Sequence, residues 1–301
     1  MSQLSKKLRA FLGERLRPKP ASAGEWFWMR LLFACVVAYT FNDTRPYGFE
    51  SQPAPVGIAY ILPLQFLSFP GVREAILGIV GIALLCYVLN RGLRWALLAL
   101  TICSILTNTL LNSQGFVLHA YQIVTLTLLG QTILAFHHQS KRGSAFSEAL
   151  KRSQFVFYSQ GIVLGTYVVA ALSKVINSRG QWLWNSKYLS GELIKSHRQV
   201  YYQKLDPALA EDIGAAVWLK AHPFLSQVIF GSGFFLELLA LAALLGRWWA
   251  LGIGLSLIAM HRGIYTLMRL EFPFNELLVL IFLVNLPYWF WWRKRSNLRP
   301  L

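Results

Sequence analysis

The sequence predicts an all-α fold, a polytopic membrane bundle of about eight transmembrane helices with the N and C termini cytoplasmic. Three observations predict it. Of 301 residues, 55% are hydrophobic and only 14% charged, with a mean hydropathy of +0.45; soluble domains carry about 25% charged residues. Apolar runs long enough to cross a bilayer recur along the chain. Basic residues then gather at the ends of those runs, as the positive-inside rule requires. The net charge of +16 is explained by that clustering, so the lipid bilayer is the expected partner and nucleic acid is not.

Residues 1–24 form a basic arm with Lys6, Lys7, Arg9, Arg15, Arg17 and Lys19. Leu4, Leu8, Phe11 and Leu12 recur at helical spacing, which suits a helix lying on a membrane surface. The small residues Ala21, Ser22 and Ala23 precede the first apolar run, the reverse of signal-peptide order. From residue 25 to 301 the chain reads as one transmembrane domain. Its expected spans are Trp26–Phe41, Ala75–Leu89, Leu93–Leu111, Phe116–Phe136, Phe155–Ile176, Phe224–Leu245, Trp248–Met268 and Phe274–Trp291. A further run, Val56 to Phe69, is interrupted by Pro63 and flanked by Pro55 and Pro70. It is too short to cross and reads as re-entrant or interfacial. Cys35, Cys86 and Cys103 lie in apolar runs and read as small buried hydrophobes.

With the arm inside, the inner loops hold Arg91 and Arg94, then Lys141, Arg142, Lys151 and Arg152, then Arg247, and the tail adds Arg293, Lys294, Arg295 and Arg299. Every short inner loop is then basic, and eight crossings are self-consistent. The long loop 177–223 falls outside and carries charges of both signs. Asp206-Pro207 reads as a helix start, and Leu209, Ile213 and Val217 as the apolar face of a surface helix over a solvated lid.

Several ionisable residues lie inside the apolar runs, where they are costly unless paired or facing water. Lys174 sits near the outer end of the fifth run, on one helix face with Tyr167 and Ala171. Gly161 and Gly165 on the same run form a small-xxx-small pair that admits a close neighbour. Glu237 lies inside the sixth run. In the seventh, His261, Arg262, Tyr265 and Arg269 fall in one polar stripe at 100° per residue. His119 lies near the outer end of the fourth run, and Asn108 and Asn112 share a face of the third. Trp182 follows Lys174 at headgroup level. The histidines show no metal-ligand spacing, and no metal site is expected. Lys174 reads either as a base in a cavity or as a side chain that snorkels to the outer interface; Glu237 reads as a cavity residue or as the ion-pair partner of Arg262.

AALSKVINSRGQW, residues 171–182 with the preceding alanine, resembles the signature of the horizontally transferred transmembrane (HTTM) domain family, which is related to the membrane part of vitamin K-dependent gamma-carboxylase. FFLELLALAALLGRWWALGIGLSLIAMHRGIYTLM resembles the later helices of that family, and Arg30 matches its early arginine. The resemblance runs from about Glu25 to Trp292. It implies that Lys174 is a base acting on a quinol-like, vitamin K-like hydroquinone, and it matches Glu237 and His261 to a glutamate and a histidine of the family's later helices. Read from their positions in the apolar runs, Glu237, His261 and His119 are the further candidate catalytic groups, and Arg262, Tyr265, Arg269 and Trp182 the candidate substrate-binding groups. The large lumenal region of the vertebrate-type carboxylase has no counterpart in this sequence, so peptidyl glutamate carboxylation is not implied.

Three functions fit these groups. The first is an enzyme using Lys174 as general base on a lipid-soluble small molecule. In the second, a binding or transport protein, the same groups line a path for protons or a small anion. The third is a subunit that holds a membrane-protein partner, its polar groups being structural. A lysine free of any carboxylate favours the first. The charge distribution sets the orientation, and the family resemblance implies a bacterial inner (plasma) membrane.

Overall fold

The computed structural model describes residues 13–44, 55–114, 119–140, 147–205 and 213–290. These are helical, with no strand among the described residues. Five helices are long and apolar enough to cross a membrane: Pro70–Val88, Leu93–Asn112, Glu148–Asn177, Arg247–Met268 and Pro273–Phe290. The sequence predicts eight spans. The remaining three segments are helical too, but depart in length or composition. Ala23–Asp43 carries Glu25, Arg30 and Asp43, Gln122–Ser140 is rich in Gln and Thr, and Pro223–Leu238 is only 16 residues long. The Leu4–Leu12 stripe of the arm, Lys141 and Arg142, Asp206 to Leu209 and the basic tail lie outside the described residues.

The chain divides into two compact units, residues 1–163 with 285–301, and residues 164–284. In the first unit, α1 (Ala23–Asp43) starts at Ser22 with a capping box. The Ser22 hydroxyl accepts from Glu25 N and the Glu25 carboxylate accepts from Ser22 N, which satisfies two backbone donors that the first turn leaves open. Then follow α2 (Pro70–Val88), α3 (Leu93–Asn112), α4 (Gln122–Ser140) and the first half of α5 (Glu148–Asn177). Successive helices pack α1 on α2, α2 on α3 and α3 on α4. Polar side chains bridge them. Tyr87 donates to Gln131 at 2.9 Å and Gln131 donates to Ser159 at 2.9 Å, joining α2, α4 and α5. Thr101 and Thr132 bond at 2.8 Å, and Asn108 donates to Thr125 at 2.6 Å. Interhelical bonds of this kind hold apolar helices in register where water is absent.

The Val56–Phe69 run breaks at Pro63 into a single turn, Ile58–Ile61, and a 3₁₀ turn, Leu64–Ser68. Tyr60 and Ile61 are 80% and 78% exposed, and neither turn can span a bilayer. On α2, Ile79, Ile82 and Leu85 are exposed while Ile76, Val80, Ala83 and Tyr87 are buried. Such an apolar outer face has no protein cover among the described residues, as expected of a lipid-facing helix.

The second unit holds the second half of α5, then α6 (Ser190–Lys204), α7 (Gly214–Ala221), α8 (Pro223–Leu238), α9 (Arg247–Met268) and α10 (Pro273–Val279), which continues as a π-helical turn, Leu280–Val284. The stretch expected to be a solvated lid is instead packed. Leu193 of α6 and Ala216 and Leu219 of α7 form a buried cluster against Phe230, Leu267 and Met268. The buried face of α7 is Ala216 and Leu219; Val217, expected inside, is 56% exposed. The sequence offers a period of four from Ile213, but the helix begins at Gly214 and its phase is set by the partner helix α6. His197 Nε2 lies 2.9 Å from the Leu267 carbonyl, tying α6 to the end of α9.

Gly161 and Gly165 do not carry the close approach expected of them: a Cβ at either would meet nothing within 4 Å. That role falls to Gly254, where a Cβ would lie 3.0 Å from Leu283 Cβ and 3.3 Å from Val284 N. Backbone cannot swing aside as a side-chain end can, so Gly254→Ala is expected to destabilise the protein by about 1–2 kcal/mol. Gly252, on the same helix with open space around it, should accept alanine with unchanged or slightly raised stability. Thermal denaturation midpoints of the two variants in detergent check this pair; equal midpoints would refute the packing at Gly254.

Candidate functional site

The site begins where α5 ends. Arg179 and Gly180 take positive φ, 52° and 80°. Gly180 N donates to Val175 O at 2.8 Å and Arg179 N to Ile176 O at 3.1 Å. This left-handed stop closes the helix and turns the chain back on itself. The turn Trp182–Asn185 follows at once. Its first residue therefore returns to the helix end, and the Trp182 ring centroid lies 5.3 Å from Lys174 Nζ. A cation over an indole face is attracted by the ring quadrupole. Trp182 also stacks on Phe234 of α8 at 5.3 Å, with 25° between the planes.

Lys174 Nζ donates to Glu237 Oε2. The lysine side chain is 32% exposed and the glutamate side chain 10%, so the ammonium stands in front and the carboxylate behind it. Glu237 lies in the last turn of α8, which gives way to a 3₁₀ stretch, Ala240–Leu245. The helix is anchored at its other end to the turn after α5. Ser226 donates to Ser186 O and Gln227 to Leu183 O, both at 3.0 Å. α8 is thus fixed against the same turn that carries Trp182, and this sets the height of Glu237 relative to Lys174.

One step deeper along α5, Tyr167 is 4% exposed and Ala171 fully buried, on the face that carries Lys174. Tyr167 stacks on His261 at 5.6 Å, and His261 stacks on Phe272 at 5.0 Å with 18° between planes. The imidazole, 3% exposed, is enclosed between two aromatic rings, and its Nδ1 has no hydrogen-bond partner. Asn275 faces the Tyr167 hydroxyl, without a hydrogen bond of normal geometry closing between them.

The expected stripe on α9 divides. His261 points inward, whereas Arg262 and Tyr265 are exposed. Arg262 donates to Glu276 of α10. Glu237 is therefore the partner of Lys174 and not of Arg262. The stripe is a quarter turn wide, and the core takes one of its edges. Arg269 closes α9 in the left-handed region, φ 55°. His119 belongs to the first unit, where its Nδ1 lies 3.4 Å from Gln122 Oε1; Asn108 bonds Thr125 of α4 within that unit. Among the described residues no three His, Cys, Asp or Glu side chains gather as a metal ion would need.

Sequence reasoning missed Phe234, Phe272, Asn275 and Glu276. Phe234 stands three residues before Glu237, one helical turn away, a spacing that could have paired it with a tryptophan on the facing turn. The pair Arg262 and Glu276 bridges two helices and left no local signal. No family model, no curated protein and no solved structure matches the chain.

Because Lys174 remains about a third exposed, removal of one partner should cost about 1–3 kcal/mol, below the roughly 3–5 kcal/mol of a fully buried pair. A double-mutant cycle of Lys174→Met, Glu237→Met and both together, followed by thermal unfolding in detergent, should give a favourable coupling of about 1–2 kcal/mol. Additive effects would mean that the two groups do not interact.

Proposed function

We propose that the chain is a multi-pass protein of a bacterial inner membrane, crossed eight times with both ends cytoplasmic. Its Lys174–Glu237 pair exchanges a proton with a lipid-soluble, quinol-like molecule. The observation that carries this reading is the ion pair itself, set under an aromatic wall of Trp182 and Phe234. The resemblance of AALSKVINSRGQW and of the later helices to the HTTM family adds the substrate class.

The expected condition for a lysine base was that it stand clear of any carboxylate. Lys174 does not, and this changes the mechanism. An ammonium holds no lone pair, so it accepts a proton only after releasing one. Glu237 lies behind it at hydrogen-bond contact and can take that proton. The Lys174 amine, the more exposed atom of the pair, then accepts the hydroxyl proton of an incoming phenol. The resulting ammonium stands beside the new phenolate and stabilises it in a setting of low dielectric. Over the two transfers one Lys174 N–H bond breaks and one forms, the substrate O–H bond breaks, and a new O–H bond on Glu237 leaves that carboxyl neutral. Trp182 offers a face for the substrate ring. His261, lodged between Tyr167 and Phe272, shapes the interior beneath.

A second reading is favoured by one observation. Lys174 and Glu237 satisfy each other, and a pair of this kind also fixes how α5 packs on α8 without any chemistry. The two readings part in lipid nanodiscs loaded with 2-methyl-1,4-naphthohydroquinone under argon. Ionisation of the hydroquinone is followed by absorbance across pH. The parent protein should lower the ionisation midpoint by about one unit relative to empty nanodiscs. Lys174→Ala and Glu237→Gln should abolish the shift. Lys174→Arg keeps the positive charge beside the phenolate and should retain part of the shift, but arginine does not release its proton, so proton exchange with the hydroquinone after a pH jump should slow to the rate in empty nanodiscs. No shift with the parent, or exchange as fast in Lys174→Arg as in the parent, would retire the proton-transfer reading and leave the structural one.

The topology is checked in a background with Cys35, Cys86 and Cys103 changed to serine. A cysteine at Lys195, 73% exposed on α6, should react with an impermeant maleimide in intact cells. One at Ser147, exposed before α5, should react only after permeabilisation. The opposite pattern would invert the protein and close the site to the outer leaflet.

A further inference from the structure

The first unit contains a cavity of about 520 Å³ that none of the chemistry above uses. It lies where five helix ends meet: the start of α1, the end of α2, the start of α3, the end of α4 and the start of α5. Arg30, Arg94, Lys151 and Arg152 line it, against the single carboxylate of Glu148. Glu148 is already taken by Lys151, whose Nζ lies 2.6 Å from Oε1. Three guanidinium groups therefore face one space with no carboxylate left for them in its lining.

Arg30 makes the case specific. It is only 7% exposed. Its NH1 donates to the Tyr87 carbonyl at 3.0 Å and its guanidinium lies over the Trp26 ring, 5.6 Å from the centroid. No carboxylate pairs with it among the described residues, and its buried Nε has no hydrogen-bond partner. Arg152 Nε, on the same cavity, is buried and unpartnered as well. A buried guanidinium is stable only with a counter-charge and acceptors for its donors. Here the protein supplies one carbonyl and an aromatic face, and no counter-charge among the described residues.

We infer that this cavity binds a phosphate-class anion, held by Arg30 and Arg152 with Arg94 at the rim. Guanidinium groups match phosphate oxygens with paired, charge-assisted hydrogen bonds. The walls are not uniformly polar: Trp26 and Phe155, stacked at 5.3 Å, form one side. A basic recess with an apolar wall at the ends of apolar helices suits the headgroup of an anionic phospholipid whose acyl chains continue along the helices. A free phosphate presents the same oxygens without the chains. Either source completes the site, and they differ in what the apolar wall contributes.

The test uses the full chain purified in a neutral detergent, titrated calorimetrically with dioctanoyl phosphatidylglycerol, dioctanoyl phosphatidylcholine and inorganic phosphate. Saturable binding of phosphatidylglycerol, about tenfold tighter than phosphatidylcholine, supports the site and assigns it to an anionic lipid; saturable binding of inorganic phosphate that displaces phosphatidylglycerol supports the site and assigns it to the phosphate group alone. Arg152→Gln should weaken either ligand about tenfold, the loss of one charge-assisted contact. Arg30→Gln should do the same in whatever fraction folds, judged by size-exclusion profile. Arg152 is only partly buried, so its variant decides the matter if Arg30→Gln does not fold. Lys187→Gln, a cation outside the cavity, serves as control and should leave binding unchanged. Absence of binding by both ligands overturns the inference. So does unaltered affinity in Arg152→Gln, or an equal loss in Lys187→Gln, which would reduce the effect to diffuse charge.

Discussion

Hydrocarbon offers no hydrogen bonds, and that constraint governs the polar side chains set inside this protein's apolar helices. Each one inside an apolar helix must find a partner within the chain or face a polar recess. The solutions differ in kind. Gln131 takes one bond from Tyr87 and gives one to Ser159, which turns three helices into one bonded set. Threonines bond in pairs or back to their own helix, as Thr127 does to Ile123. Charges need more. Lys174 takes Glu237, Arg262 takes Glu276, and Arg30 takes a carbonyl and an indole face.

The pairing of Lys174 with Glu237 shows how one contact reshapes a chemical reading. A solitary amine at a membrane interface and an amine backed by a carboxylate are different reagents. The first gains or loses its proton to water. The second has a carboxylate within hydrogen-bond contact to share it with. The backing also gives direction. The carboxylate is the more buried of the two groups and the amine the more exposed.

Much of the architecture was legible because apolar run length and basic helix ends are local signals. Where they are described, the segments read from the sequence fall on helices, five of them long and apolar enough to cross a membrane, and Pro63 broke the Val56–Phe69 run as its missing N–H requires. The capping box at Ser22 and Glu25 was readable and was overlooked. What could not be read was partnership. Glu237 and Arg262 were plausible mates by chemistry, but Lys174 lies 63 positions from Glu237 in sequence and no periodicity connects them. The phase of α7 failed for a similar reason: Ile213, Leu209 and Val217 keep helical spacing, yet α6 selects Ala216 and Leu219. For the site, residue types were legible and their geometry was not. His261 was read as one member of a polar stripe and is a ring packed between two others.

The boundary of the first unit has a bearing on how the protein is made. That unit is discontinuous: residues 285–301 rejoin it after the whole of the second unit has been synthesised. The link is visible at one atom pair, where Asn285 Nδ2 donates to Glu25 Oε1 at 2.7 Å across 260 positions. At ordinary elongation rates the two residues emerge on the order of tens of seconds apart. Over that interval the capping box with Ser22 already occupies the other oxygen of the Glu25 carboxylate. The first helix can therefore enter the bilayer with its acid already bonded to its own cap, and the last segment adds the bond from Asn285. Nascent chains stalled before residue 285 would hold a first unit without its closing member.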